Sequence, residues 1–302
     1  MFDSLQFSEN RLTPDSEVSS SSKAATFDLH LQEQNFWQQK LIDDLQQYIE
    51  NDDLELYYQP QIDLRTGKTR SVEALVRWQH RFAGNIPPHI FVPLAEQSGH
   101  IHNLTLWVLD NALQEMCNWK YSGMEMNVAV NLSVNNLEDN ELPVKVSDLL
   151  EKWSVPARQL ILEVTESVMI KNPKHASKIL SGLRELGVSL SLDDYGSGYS
   201  SLSYLSNLPI NELKIDRSLV MDMDKNHKNK KIVQSTIELA KSLGLGVVAE
   251  GVENINAYSK LTVLNCDAAQ GFYFCKPICS KEFTSWLFDS DWGMGVNVCY
   301  AN

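Results

Sequence analysis

The sequence lacks any long uninterrupted run of hydrophobic residues. No stretch reaches the roughly 18 to 20 uncharged apolar residues with which a helix spans a bilayer, so we expect no membrane segment in this chain. The N-terminus, MFDSLQFSENR, has acids where a signal peptide has basic residues, and no apolar core follows it. Secretion by that route is not expected, and we predict a cytoplasmic location.

Basic residues are scarce relative to acidic ones. The 302 residues include 26 Lys and Arg against 39 Asp and Glu, which gives a formal net charge of −13. Such a balance repels a nucleic-acid backbone, so neither DNA nor RNA is an expected partner. A substrate that carries phosphate would need metal ions to offset the acidic side chains.

Cysteine is sparse, and its number is odd. The five cysteines are Cys117, Cys266, Cys275, Cys279 and Cys299. Their scatter over a long chain is unlike a disulfide framework and fits a reducing compartment. Cys275 and Cys279 lack the further closely spaced ligands that a thiolate metal site requires.

The chain divides into a polar leader, a folded body and a short tail. Residues 1–35 have few apolar residues and contain the serine run at 19–22, so we interpret them as a flexible leader or linker. Apolar residues recur at helical spacing from Phe36 onward. We therefore place the folded body at 36–288 and a C-terminal tail at 289–302.

Within the body, strand-like apolar segments alternate with helical ones. The strand-like segments are 54–62, 71–78, 126–133, 159–166, 188–194, 212–216 and 245–251. Helical patterns such as 103–120 and 230–244 lie between them. The alternation predicts an α/β protein with a parallel sheet. We interpret it as a barrel near (βα)8, with an open doubly wound sheet as the alternative, because periodicity does not fix the strand order.

Most of the predicted strands finish in a polar residue. These residues are Asn131, Glu163, Asp193 with Asp194, Lys214 and Glu250, and Glu73 lies within an earlier strand. The C-terminal ends of barrel strands converge on one mouth, where active sites of this fold are built. Any one of these acids alone would be read as a solvated rim charge. Together they would repel one another and have raised pKa values unless cations shared the charge.

Bound metal ions would offset this repulsion among the carboxylates. An all-oxygen ligand set with an asparagine amide favours hard cations such as Mg²⁺ or Mn²⁺ over Zn²⁺. The adjacent Asp193 and Asp194 suggest one carboxylate shared between two ions, as in two-metal phosphodiester hydrolysis. Lys214, on a strand aimed at the same mouth, could orient the nucleophile or stabilise charge on phosphate oxygens.

The same residues resemble the motifs of the EAL-domain family. In the family's order they stand here as Glu73-Ala74-Leu75-Val76-Arg77, Asn131-Leu132-Ser133, Glu163-Val164-Thr165-Glu166, Asp193-Asp194-Tyr195-Gly196-Ser197-Gly198-Tyr199, Lys214-Ile215-Asp216-Arg217, Glu250-Gly251-Val252-Glu253 and Gln270-Gly271-Phe272 leading to Pro277. Two mild departures are Tyr195 and Ser197, where many members carry Phe and Thr. No metal position is altered.

The resemblance implies a TIM-like (βα)8 barrel with one antiparallel strand. It also implies a phosphodiesterase that opens cyclic di-GMP to linear pGpG with two ions of Mg²⁺ or Mn²⁺. The metal ligands that it implies are Glu73, Asn131, Glu163, Asp193, Asp194 and Glu250, with Asp194 and Glu250 serving the second ion. The catalytic residues that it implies are Lys214, which would contact the water, together with Glu73 and Asp194.

Substrate contacts and assembly follow from the same resemblance. Arg77 would bind a substrate phosphate. The positions that match the substrate groove are Gln59, Leu75, Asp216, Glu253, Gln270 and Pro277. Glu166 would anchor the loop after the paired aspartates, near a surface through which barrels of the family pair, so we expect a homodimer. The intact ligand set favours a hydrolase over a nonhydrolytic cyclic-di-GMP receptor or a protein-interaction module.

Overall fold

The computed structural model describes residues 36–168, 172–196, 205 and 208–293. The expectations for the leader at 1–35, for the glycine-containing loop at 197–201 and for Cys299 lie outside these residues. In the described part, Cys117, Cys266, Cys275 and Cys279 carry free thiols.

Strands and helices alternate along the described chain. The strands are β1 Glu55–Asp63, β2 Lys68–His80, β3 Gly84–Ile86, β4 Asn127–Leu132, β5 Leu160–Thr165, β6 Ser189–Tyr195, β7 Glu212–Ile215, β8 Gly246–Ala249, β9 Ala268–Gln270 and β10 Ile278–Cys279. The helices are α1 36–50, α2 Pro88–Ser98, α3 Ile101–Tyr121, α4 Leu142–Trp153, α5 Pro173–Glu185, α6 Arg217–Met221, α7 His227–Ser242, α8 Ile255–Val263 and α9 Ser280–Asp289. None of these helices is both long enough and apolar enough to cross a membrane.

Eight of the strands close into a barrel. The order around it is β1-β9-β8-β7-β6-β5-β4-β2, and pairing of β1 with β2 completes the circle. β1 runs antiparallel to both of its neighbours, whereas all other neighbouring pairs are parallel. The prediction of a TIM-like barrel with one antiparallel strand is confirmed, and the open doubly wound sheet is excluded.

Alternation along each strand separates the core from the barrel interior. In β5, Leu160, Leu162 and Val164 are fully buried and belong to the hydrophobic core. Successive side chains of a strand point to opposite faces, so Ile161 and Glu163 face the barrel axis. Helices cover the outer face of these parallel strands, which explains why the strands appear in the sequence as almost continuous apolar runs.

The eighth barrel strand was absent from the sequence-based prediction. β9 is only three residues long, and its sequence is Ala-Ala-Gln. Alanine has little preference for strands, and three residues are too few to show an alternating pattern. Its place between β8 and β1 is fixed by backbone pairing, which local sequence does not reveal.

Both ends of the described body are tied to β2 and the residues next to it. On α1, the carboxylate of Asp44 lies 3.1 Å from His80 Nε2, and the Tyr48 hydroxyl accepts a hydrogen bond of 2.9 Å from the backbone N–H of Arg81. Beyond α9, the carbonyl oxygen of Trp292 accepts hydrogen bonds from the backbone N–H and the hydroxyl of Thr69, at 2.9 and 2.8 Å. The packed structure therefore continues to residue 293.

Candidate active site at the mouth of the barrel

Lys214 lies at the centre of the barrel mouth, and its side chain is completely buried. Its Nζ is 2.7 Å from Glu163 Oε2 and 2.7 Å from Glu250 Oε1. Asp193 Oδ2 lies at 3.3 Å and Glu73 Oε2 at 3.7 Å from the same nitrogen. The structure thus brings together acids that are far apart in the sequence, around one buried ammonium group.

Crowding and burial raise the pKa values of three acids in this cluster. The pKa of Glu163 lies well above its usual range, first because of burial and then because of the charges of Glu73 and Asp193, against the attraction of Lys214. Burial is the largest cause that raises the pKa of Glu250 to about 8, and repulsion from Asp193 and Glu73 adds to it against the attraction of Lys214. Burial and then the charge of Asp193 raise the pKa of Asp194 to about 6. Without a bound cation, Glu250 is therefore harder to ionise than an exposed glutamate.

The charge of Lys214, aided by hydrogen bonds, has the opposite effect on the pKa of Glu73. Burial alone would raise the pKa of Glu73, but the charge of Lys214 and the amides of Gln270 and Asn131 hold it below its usual value. Burial would lower the pKa of Lys214, and the surrounding carboxylates instead raise it well above its usual range. Lys214 is therefore a permanent cation near neutral pH.

A distortion of β6 turns two adjacent carboxylates toward one place. Neighbouring residues on a regular strand point to opposite faces. The pairing of β6 with β7 shifts register between Leu192 and Tyr195, and Asp194 has a φ of 57°, in the left-handed region. Its backbone N–H donates to Asp193 Oδ1 at 2.8 Å. The carboxylates of Asp193 and Asp194 therefore lie in the same acidic cluster.

The acids of this mouth fit a hard cation. Asp193, Asp194 and Glu250 each offer one carboxylate oxygen, and these oxygens all lie within 4.8 Å of one another. Glu163 and Glu73 contribute further oxygens around Lys214. Carboxylate oxygens are the donors that Mg²⁺ and Mn²⁺ prefer, so the acidic cluster can hold such an ion.

Side-chain amides connect Glu73 to the loop after β9. Asn131 Nδ2 donates to Glu73 Oε1 at 2.7 Å, and Gln270 Nε2 donates to Glu73 Oε2 at 2.6 Å. The same Gln270 nitrogen donates to Gln59 Oε1 at 2.9 Å, and Gln59 Nε2 donates to the carbonyl oxygen of Cys275 at 3.0 Å. Gln59 and Gln270, which we expected in the substrate groove, therefore also hold Glu73 and this loop in place.

The loops after β8 and β9 are packed together at backbone level. Val252 N–H donates to the carbonyl oxygen of Gln270 at 3.0 Å, and Tyr273 N–H donates to that of Val252 at 2.9 Å. A Cβ on Gly271 would lie 2.1 Å from the Val252 oxygen, so only glycine allows this approach. The contact fixes the position of the loop that leads to Pro277.

Two expected substrate residues lie on β2 beyond Glu73. Leu75 and Arg77 lie two and four residues beyond Glu73, so their side chains are on the same face of β2 as the side chain of Glu73. Both are half-buried. The Arg77 guanidinium lies 5.5 Å from the centre of the Tyr57 ring and donates to the carbonyl oxygen of Val76 at 2.9 Å.

The other expected substrate residues differ in exposure. Asp216 is buried and caps α6, where its carboxylate accepts a hydrogen bond of 3.0 Å from the backbone N–H of Ser218. Pro277 is half-buried just before β10, and Glu253 is exposed after β8. Asp216 thus has a structural role at this position besides any contact with a ligand.

Glu166 lies just beyond β5 and is buried. Within the described part of the chain, its Oε2 is enclosed without a hydrogen-bond partner. Burial and then the charge of Glu166 raise the pKa of Tyr195, which places this acid beside the end of β6. Its burial argues against a simple surface charge.

Gln61 and Ser71 are two polar residues of the barrel interior that the sequence did not single out. Gln61 Nε2 donates to Glu163 Oε1 at 3.4 Å, and Ser71 Oγ donates to Gln61 Oε1 at 2.7 Å. The only sequence feature that pointed to Gln61 was its spacing of two residues from Gln59, which places both side chains on one face of β1.

A closed α/β barrel with a buried lysine among acids at its mouth defines a class of α/β-barrel proteins whose strand ends form one acidic site that can hold hard cations. A sequence model of the EAL domain matches residues 42–277, and the chain belongs to this family.

Known relatives are considerably longer than the matched region. The chain is 37% identical over 244 residues to the oxygen sensor protein DosP of Escherichia coli, which covers 80% of this chain and 30% of the relative. It is 42% identical over 237 residues to the cyclic di-GMP phosphodiesterase NbdA of Pseudomonas aeruginosa, covering 78% of this chain and 30% of the relative. The chain thus spans about 30% of the length of these curated relatives.

Solved structures share the fold. The PaMucR phosphodiesterase in complex with c-di-GMP superposes with a TM-score of 0.77 and is 40% identical in sequence. The alignment covers 81% of this chain and 99% of the PaMucR chain. The EAL enzyme Bd1971, in a form with cAMP and cyclic di-GMP bound, superposes with a TM-score of 0.78 and is 29% identical in sequence. The alignment covers 89% of this chain and 76% of the Bd1971 chain.

Proposed function

We propose that this chain is a metal-dependent phosphodiesterase that hydrolyses cyclic di-GMP to linear pGpG. The observation that carries the proposal is the buried Lys214 within 3.3 Å of three carboxylates, those of Glu163, Asp193 and Glu250. A site that only bound a dinucleotide would not need this concentration of buried charge. Relatives that are themselves cyclic di-GMP phosphodiesterases support the choice of substrate.

The proposed cofactor is Mg²⁺ or Mn²⁺, as two ions. The residues that would hold them are Glu73, Asn131, Glu163, Asp193, Asp194 and Glu250. A divalent cation supplies Lewis acidity there, which activates water and offsets the charge of the phosphodiester.

The protein groups then have separate tasks. The water oxygen forms a bond to phosphorus while the P–O3′ bond breaks, and the released 3′ oxygen takes up a proton, so the product keeps a 5′-phosphate. Lys214 stays protonated, so it orients the water or stabilises charge on a phosphate oxygen and does not accept the proton. Glu73 and Asp194 are the proposed acceptors. The lowered pKa of Glu73 keeps it ionised, and Asp194, with a pKa of about 6, is the stronger base of the two.

Substrate binding is assigned to the rim of the same mouth. Arg77 presents a planar guanidinium that can bind paired phosphate oxygens. The remaining proposed contacts are Gln59, Leu75, Asp216, Glu253, Gln270 and Pro277. Gln270 Oε1 is buried without a hydrogen-bond partner among the described residues, which leaves an acceptor for a donor of the ligand.

Incubation of the purified chain with cyclic di-GMP and Mg²⁺ or Mn²⁺, followed by nucleotide chromatography, tests the proposal. Linear pGpG is the expected product. A chelator should stop its formation, and added Mg²⁺ or Mn²⁺ should restore it. Retention of cyclic di-GMP by the protein without conversion would favour the receptor alternative.

Divalent-metal affinity is expected to rise with pH. The metal competes with the protons of Glu250 and Asp194, whose pKa values are about 8 and about 6. Affinity should therefore increase by up to about tenfold per pH unit for each proton that the metal displaces, and more steeply below pH 6, where the proton of Asp194 must also leave. Calorimetric Mg²⁺ titrations in buffers of different ionisation enthalpy measure the released protons. Affinity that is independent of pH from 6 to 8 would contradict this protonation scheme.

We also propose a cytoplasmic homodimer in which Glu166 anchors the loop after Asp194.

Glu166→Ala should leave the circular dichroism spectrum unchanged, raise the apparent Mg²⁺ requirement and quicken hydrogen exchange across residues 194–202. The exposed Glu185 at the end of α5 supplies the control, and Glu185→Ala should change none of these. Sedimentation measures the oligomeric state. Unchanged metal requirement and exchange in Glu166→Ala would remove the anchoring role.

A further inference from the structure

We propose that Gln61 and Ser71 form a buried hydrogen-bonded pair that positions Glu163 as a metal ligand. The inference rests on the proposed metal-dependent function. Gln61 is 0% exposed, and Ser71 and Glu163 are each 1% exposed. The Ser71 hydroxyl donates to Gln61 Oε1 at 2.7 Å, and Gln61 Nε2 donates to Glu163 Oε1 at 3.4 Å.

The antiparallel strand β1 places this amide inside the barrel. Gln61 is the register partner of Ser71 on β2 and of Gln270 on β9. Cross-strand partners share a face, so the side chains of Gln61 and Ser71 meet in the interior. The β1–β2 register shifts just after Gln61, and such irregularities re-aim side chains near functional sites. The result is an amide that reaches across the barrel from β1 to β5.

The two oxygens of Glu163 have different partners. Oε2 accepts from Lys214 Nζ at 2.7 Å, and Oε1 accepts from Gln61. Each oxygen therefore has its own donor, which limits rotation of the carboxylate. Gln61 is uncharged, so it orients Glu163 without adding to the repulsion among the acids.

Glu163 selects the orientation of the Gln61 amide, because its carboxylate only accepts, and Ser71 supports that orientation. With the amide reversed, its carbonyl oxygen would face the carboxylate oxygen of Glu163, and two acceptors would oppose each other. A hydroxyl that donates to Gln61 Oε1 stabilises the orientation in which the amide nitrogen faces Glu163. Ser71 thus acts on Glu163 only through Gln61.

Calorimetric titration of the full chain with Mn²⁺ tests the pair independently of hydrolysis. Gln61→Leu should raise the Mn²⁺ dissociation constant by about 10- to 100-fold, the range typical for groups that orient metal ligands. Ser71→Ala should raise it by less. The double variant should match Gln61→Leu alone, because Ser71 has no separate path to the ligand.

Ser191→Ala is the matched control. Ser191 is also 0% exposed in the barrel, and its hydroxyl donates to Glu212 Oε1 at 3.4 Å, which is not among the proposed ligands. Its Mn²⁺ affinity should equal that of the wild type. Thermal unfolding without metal, recorded for every variant, separates loss of fold from loss of ligand positioning.

A dissociation constant for Gln61→Leu within about twofold of the wild type, in a folded variant, would overturn the inference and leave the proposed function intact. If Gln61→Leu did not fold, Ser71→Ala would decide: an unchanged dissociation constant overturns the inference, and a raised one supports it. Additive effects in the double variant would also overturn it. Absence of Mn²⁺ binding by the wild type would overturn the metal-dependent function, and this inference with it.

Discussion

Asp193→Ala is expected to lower kcat/KM for cyclic di-GMP by at least about 10²-fold, the scale for loss of one preorganised electrostatic group. Asp193 lies 3.3 Å from Lys214 Nζ and shares the acidic cluster with Asp194 and Glu250. Its removal takes away a proposed ligand of the metal. Glu73→Ala should have an effect of similar size, since Glu73 is likewise a proposed ligand. Initial rates at saturating Mg²⁺, followed by chromatography, give the measurement.

Asp289→Asn provides the control for these two variants, because Asp289 is exposed at the end of α9. Its rate should match that of the wild type. Activity near the wild-type level in Asp193→Ala or Glu73→Ala would contradict the assignment of metal ligands, whereas partial retention of substrate binding would not.

Lys214→Ala is expected to lower kcat much more than substrate affinity. Its proposed partner is the attacking water or a charge that develops in the transition state, so the loss should appear in kcat. The same change removes the ammonium from among buried acids, and breaking such a buried ion pair costs about 3 to 5 kcal/mol of unfolding free energy. Chemical denaturation of the metal-free protein measures that loss, and Mg²⁺ or Mn²⁺ should recover part of it.

Arg77→Ala is the comparison variant, since the half-buried Arg77 is proposed to bind a ground-state phosphate. It should mainly weaken substrate binding. Equilibrium titration and single-turnover kinetics separate the two quantities. If Lys214→Ala lost mostly affinity and Arg77→Ala lost mostly kcat, the two roles would have to be exchanged.

The alternation of strands and helices predicted an α/β barrel and the set of acids at its mouth, and the resemblance to the EAL family added the one antiparallel strand. Parallel strands concentrate their C-terminal residues at one end, so Glu163, Asp193 and Glu250 could be placed together without knowing any distance. β9 could not be found, because Ala268-Ala269-Gln270 carries no strand pattern and acquires its structure from neighbouring strands.

Contacts across the barrel were also beyond sequence reasoning. Gln61 meets Glu163 across 102 positions of the chain, and a glutamine in a strand gives no sign of its partner. The left-handed backbone of Asp194 depends on the irregular pairing of β6 with β7. The burial of Glu166 beside Tyr195 likewise depends on tertiary packing, and the alternating pattern of β5 does not show it.

Hydrolysis in ¹⁸O-labelled water distinguishes cleavage of the phosphodiester by this chain from simple binding of cyclic di-GMP. The purified chain is incubated with cyclic di-GMP and Mg²⁺ in labelled water, and the nucleotide is analysed by mass spectrometry. We expect linear pGpG with one ¹⁸O atom in its 5′-phosphate, and no such product from Asp193→Ala on the same time scale. Recovery of unlabelled cyclic di-GMP from the wild-type reaction would contradict this expectation.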